Sequence, residues 1–125
     1  MNMNTMTAMN DMITRNEVLN DGTSIHLYFN GLVGLYAGYG ISAFLLHGLV
    51  DAPVSYSMDM QMPVAVLNAA RYERLRVLAA TVRDVRNYRC LRVGEPADED
   101  EYVSWARRLR AEARAQASAD AAGEV

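Results

Sequence analysis

The side chains best able to do chemistry in this sequence are His26, His47 and the single cysteine, Cys90. A catalytic nucleophile needs a neighbouring base and a third group that orients that base, and no local motif supplies such a set. The two histidines fall on different expected elements. Cys90 sits in the middle of an expected strand, where a small buried hydrophobe is the ordinary occupant. Strand alternation places Tyr28 on the face of His26, and a hairpin partner adds Leu35 and Tyr39 to that face. His26, Tyr28, Leu35 and Tyr39 therefore form the candidate ligand or interface cluster. No catalytic residue, metal ligand or cofactor is assigned.

Three further patterns carry chemistry in principle. Arg71, Arg74, Arg76, Arg83, Arg86 and Arg89, with Arg92 just beyond, face only Glu73 and Asp84, a local formal charge of +5. A nucleic-acid surface needs a coherent basic stripe. On a helix these arginines flank an apolar arc on both sides, as snorkelling side chains do. Met58, Met60 and Met62 offer soft thioethers that suit Cu(I), but their face continues through Val64 and Val66 as a core face would. Gly34, Gly38 and Gly40 run from a strand into a helix, yet they match neither phosphate-binding glycine pattern. The passage into the helix reads as a tight turn, and Gly34, inside the expected strand, as a bulge or a close approach of a neighbour.

The elements that must position these residues follow from periodicity. Thr23 to Phe29 and Leu32 to Tyr39 flank Asn30-Gly31, the dipeptide that best supports a two-residue hairpin turn. That turn would pair Phe29 with Leu32, Leu27 with Gly34 and Ile25 with Tyr36. Both hairpin faces are largely apolar. Ser42 is a reasonable N-cap for a short apolar helix, 43–49. From Val54 to Val66 every even position is apolar, which predicts one long strand with those positions buried and a bend or change of partner at Pro63. Asn68 caps a helix expected over 69–85, and a strand follows at 88–93. Asp98 and Glu101 have capping-box spacing for a last helix, 99–116, packing through Tyr102, Trp105 and Leu109.

The expected fold is α+β: a small sheet of hairpin, long strand and fourth strand packed by two main helices, in the order β-β-α-β-α-β-α. A chain of 125 residues suits one domain. Residues 1–21 show no countable period and read as a disordered leader, 22–116 as the domain and 117–125 as a frayed tail. The leader has no basic segment followed by an apolar run, so it does not read as a secretory signal. The single cysteine fits a reducing, cytoplasmic location.

The net charge of −3, with every one of the 12 basic residues an arginine, gives no general attraction to nucleic acid or anionic lipid. Residues 32–50 supply 19 uncharged positions, about the length of a membrane span. The hairpin signal at their start, His47 within them and the flanking Asp21 and Asp51 favour a buried hairpin and short helix instead. The preferred functional reading is a non-catalytic, self-associating interaction or regulatory module, with the two-sided hairpin as its contact surface. A nucleic-acid accessory protein using Arg71 to Arg92, and a ligand-binding domain or enzyme around His26, Tyr28 and Tyr39, are the alternatives. A single-span membrane protein through 32–50 is the last.

Overall fold

The computed structural model describes residues 3–123. Its elements run α1 (Met3–Val18), β1 (Ser24–Asn30), β2 (Leu35–Tyr39), α2 (Ile41–Val50), β3 (Val54–Ser57), β4 (Met62–Leu67), α3 (Ala69–Leu78), β5 (Ala80–Val85), β6 (Tyr88–Arg92) and α4 (Glu99–Gly123). The strands form one six-stranded sheet in the order β3-β4-β2-β1-β6-β5, every neighbour antiparallel. The α+β class expected from the sequence is the observed one.

One face of the sheet carries the core. Ile25, Leu27, Ala65, Leu67 and Leu91 point from it into Ala43, Leu45, Leu46 and Val50 of α2 and Tyr72 and Leu75 of α3. The helix α4 covers the β3–β4 end of the same face, where Trp105 packs partly buried against the core. Gly38 lets α2 sit this close. A Cβ at that position would lie 2.6 Å from Leu46 Cδ1, and Leu46 is fully buried.

Two expected caps are present. Asn68 Oδ1 accepts from the Arg71 backbone N–H at 2.9 Å, and Asp98 Oδ1 accepts from that of Glu101 at 2.9 Å. Each occupies one of the orphan donors of a helix start.

Several expectations are corrected. The first segment is not a leader without structure: residues 3–18 form α1, with Ile13 and Glu17 buried. Residues 117–123 of the expected tail continue α4 as helix, and 124 and 125 lie outside the described residues. The first hairpin turns through Gly31–Gly34, not through Asn30-Gly31. Asn30 pairs with Leu35 and Phe29 with Tyr36, while Gly34 takes the left-handed φ of 68° and its N–H donates to the Asn30 carbonyl at 2.9 Å. The glycine able to adopt that conformation at the end of the loop decides the register.

The long strand is two strands. Met58 to Gln61 turn between β3 and β4, and Ser57 pairs with Met62. Residues directly opposite in an antiparallel pair share a face, so even positions of β3 face the same side as odd positions of β4. The buried residues of β4 are accordingly Pro63, Ala65 and Leu67, and not the even set. The methionines are separated by the same turn: Met58 is exposed in it and Met62 lies on β4. The helix expected over 69–85 ends at Leu78, and 80–85 become the edge strand β5. No helix among the described residues is long and apolar enough to cross a membrane. The 10 residues of α2 rise about 15 Å, half a bilayer core.

Gly38→Ala is expected to cost about 1–3 kcal/mol of stability by overpacking. In a double-mutant cycle on chemical denaturation, Leu46→Ala should remove most of that extra cost. Full additivity of the two substitutions would show that the close approach of α2 to Gly38 is not the constraint.

Candidate functional site

The sheet face opposite the core gathers most of the residues singled out above. Odd positions of β1 face the core, so even ones face outward. The ladder sets Tyr28 beside Ala37 on β2 and Tyr88 on β6, and His26 beside Cys90. Three tyrosines form a chain of rings, Tyr28 to Tyr39 at 6.2 Å and Tyr28 to Tyr88 at 5.6 Å, and His26 stacks on Tyr88 at 6.0 Å. His26 Nδ1 and the Tyr88 hydroxyl are 2.6 Å apart. Burial lowers the His26 pKa and raises that of Tyr88, so both groups are neutral near pH 7.

The helix α1 lies across part of this face. Asn16 Nδ2 donates to the Tyr28 hydroxyl at 2.8 Å, and Tyr28 is buried, its pKa pushed up to about 12 by desolvation. The next residue, Glu17, reaches the start of α2. The N-cap position there is Gly40, which has no side chain to accept the first N–H groups. Glu17 takes over that role from another helix. Its Oε1 accepts from the Ser42 backbone N–H at 3.1 Å and from Asn20 Nδ2 at 3.3 Å, and its Oε2 accepts from the Ser42 hydroxyl at 2.7 Å. Ser42 Oγ in turn accepts from the His26 backbone N–H at 2.9 Å. Gly40, at a φ of 57°, leaves room for this carboxylate: a Cβ there would lie 3.2 Å from Glu17 Cγ.

Burial pushes the Glu17 carboxyl up to about 7, with the bonds from Ser42 offsetting part of the desolvation. The serine, carboxylate and histidine at this point are not a hydrolytic triad. Ser42 is fully buried, and it is the backbone of His26 that it meets, while the imidazole bonds Tyr88 on the outer face.

The structure thus brings together His26, Tyr28 and Tyr39 from the expected cluster, and leaves Leu35 half-buried near the turn of the first hairpin. It adds Tyr88, Cys90, Asn16 and Glu17. A weak signal for α1 existed in Met6, Met9 and Ile13, spaced 3 and 4 apart.

The arginines do not assemble. Arg71 Nε donates to the Val50 carbonyl at 3.2 Å, Arg76 pairs with Glu73 at 3.4 Å and stands 6.0 Å from the Tyr72 ring, and Arg74 is exposed on α3. Arg89 binds Asp84 at 2.9 Å from the core side of the sheet. Arg83 faces the outer side opposite Cys90, and Arg86 sits in the β5–β6 turn. Among the described residues no group of His, Cys, Asp and Glu could hold a metal ion.

No protein-family model matches the chain, and no curated protein or solved structure does so either.

The raised Glu17 pKa has a consequence of definite sign. Between about 4.5 and about 7 the folded protein keeps a proton that the unfolded chain has released, so stability falls as pH rises through that window. The loss should amount to roughly 3 kcal/mol, at about 1.4 kcal/mol per pH unit. Glu17→Gln should flatten the slope when denaturant melts are run from pH 4.5 to 7.5. An unchanged slope in the variant would mean that another group sets it.

Proposed function

We propose that the chain is a non-catalytic, self-associating interaction module, and that a second copy binds the outer sheet face beyond α1. The observation that carries this reading is the chemistry of β2, β3 and β4. Cross-strand rows there run Ala37 to Val66 and Tyr39 through Val64 to Ser55, with Met62 beside Ser57. Ala37, Tyr39, Met62, Val64 and Val66 are apolar or aromatic and each is partly exposed. Not one residue of the three strands is charged.

A two-fold interface sets a surface patch against its own copy, so a charge near the axis meets its own like charge, and one elsewhere in the patch is desolvated unless an opposite charge lies across from it. An uncharged apolar face avoids that penalty. The edges of the sheet are poorer candidates. Strand β3 is short and backed by α4, and β5 carries a bulge between Thr81 and Arg83 together with charged side chains, devices that discourage edge pairing.

The expected contact surface moves accordingly. Tyr28, on the two-sided hairpin, lies beneath α1, so the contact shifts to the β2–β4 half of the same face. The unpaired Cys90 suits a reducing, cytoplasmic setting. The dispersal of the arginines over α3 and both sides of the β5–β6 hairpin gives a nucleic acid no continuous track.

Sedimentation equilibrium at about 10–200 μM should show a reversible dimer. Val64→Glu, which places a carboxylate at the centre of the patch, should shift the protein to monomer without changing its circular dichroism. A wild-type protein that stays monomeric over the whole range would overturn the reading.

A further inference from the structure

The same outer face holds a recess of about 490 Å³ where α1 passes the β5–β6 turn, within the usual range for small-molecule clefts. Met9 and Met12 of α1 and Val85 of β5 form its sides, and they are 45%, 40% and 46% exposed. Tyr28 and Tyr88 also line it. Both tyrosine hydroxyls are engaged elsewhere, one by Asn16 and the other by His26, so the rings offer a guest apolar contact. Methionines on the opposing wall are unbranched and adapt to irregular apolar shapes.

The polar groups are confined to the turn. Arg86 and Asn87 line the recess there, and Arg86 takes a left-handed φ of 46°. The Asn87 carbonyl is already used by the Phe29 N–H at 2.8 Å. Among the described residues Arg86 makes no ion pair, whereas its neighbour Arg89 binds Asp84. An apolar recess beside one uncompensated guanidinium matches a ligand with an alkyl body and a single anionic end, since a carboxylate can take two hydrogen bonds from that group.

We infer that this recess binds a single-chain alkyl carboxylate, with the hydrocarbon between Met12 and the Tyr28 and Tyr88 rings and the carboxylate on Arg86. The site lies on the β6–β5 side of α1, on the other half of the outer face from the β2–β4 patch assigned to self-association, and does not depend on it.

Isothermal titration with sodium decanoate, decan-1-ol and sodium acetate tests the assignment. Decanoate should bind saturably at one site per chain, decanol about tenfold more weakly, and acetate not at all, since loss of one charge-assisted contact is worth about that factor. Arg86→Ala should bring decanoate down to the level of decanol and leave decanol unchanged. Met12→Glu, at an exposed helix position, should weaken both, with its thermal melt confirming the fold. Amide shifts on adding decanoate should centre on residues 9–16 and 85–88. No saturable decanoate binding up to 1 mM, equal affinity for decanoate and decanol, or shifts centred elsewhere would each overturn the inference.

Discussion

The contact between Glu17 and Ser42 is the constraint on which the arrangement of α1, β1 and α2 depends. The helix α2 is strongly apolar and its inward residues are fully buried, so its first N–H groups cannot turn to water. Its N-cap glycine offers them nothing. A carboxyl group from another helix takes the Ser42 N–H and, once ionised above about pH 7, places negative charge at the positive end of the helix dipole. The cost is desolvation of that carboxylate, visible in its raised pKa. Ser42 extends the link. Beyond Tyr28 the β1–β2 register ends, and the serine hydroxyl takes the His26 N–H that β2 does not. One carboxylate therefore fastens a helix on the outer face to a helix on the core face, around the end of the sheet.

That dependence explains why α1 was not legible. Its Asn- and Thr-rich sequence has weak helix propensity, and only Ile13 and Glu17 become buried among the residues whose side chains are described. A glutamate in a polar segment reads as solvated surface. Its role arises from a glycine 23 positions later, and no local pattern encodes that. By contrast, Asn68 and Asp98 were readable because a cap acts within its own first turn, so cause and effect lie three residues apart.

The strands depart from the sequence pattern for one physical reason. Strand β4 is apolar on both faces, with Pro63, Ala65 and Leu67 inward and Met62, Val64 and Val66 outward. Alternation between Val54 and Val66 therefore tracks side-chain size rather than burial, and the turn at Met58–Gln61 reverses its parity without a break in the pattern. The positive φ of Gln61 gave no compositional warning, since glutamine is not a usual turn residue there. Likewise Leu75, Leu78, Ala79 and Val82 keep helical spacing, although the chain leaves the helix after Leu78. Thr81, Val82 and Val85 instead show the β-branched enrichment of a strand. The cluster of His26, Tyr28 and Tyr39 is legible because it needs only the alternation of two strands. Tyr88 and Cys90 join it through β6, whose place beside β1 depends on sheet order.

The two-sided apolar character of β4 also divides the outer face. The helix α1 runs from the start of α2, over Tyr28, to the β5–β6 turn, so it shelters β1 and β6 and leaves β2, β4 and β3 partly open. Had Val64 and Val66 been Lys or Glu, the open half would be an ordinary solvated sheet surface. The sequence instead keeps it free of charge, although arginines and acids are plentiful in α3, in the β5–β6 hairpin and in α4. An antiparallel sheet of this size needs apolar residues on one face only to hold its core. Apolar residues on the second face, beyond what α1 covers, are surplus to folding. That surplus is the physical basis of the proposed contact with a second copy.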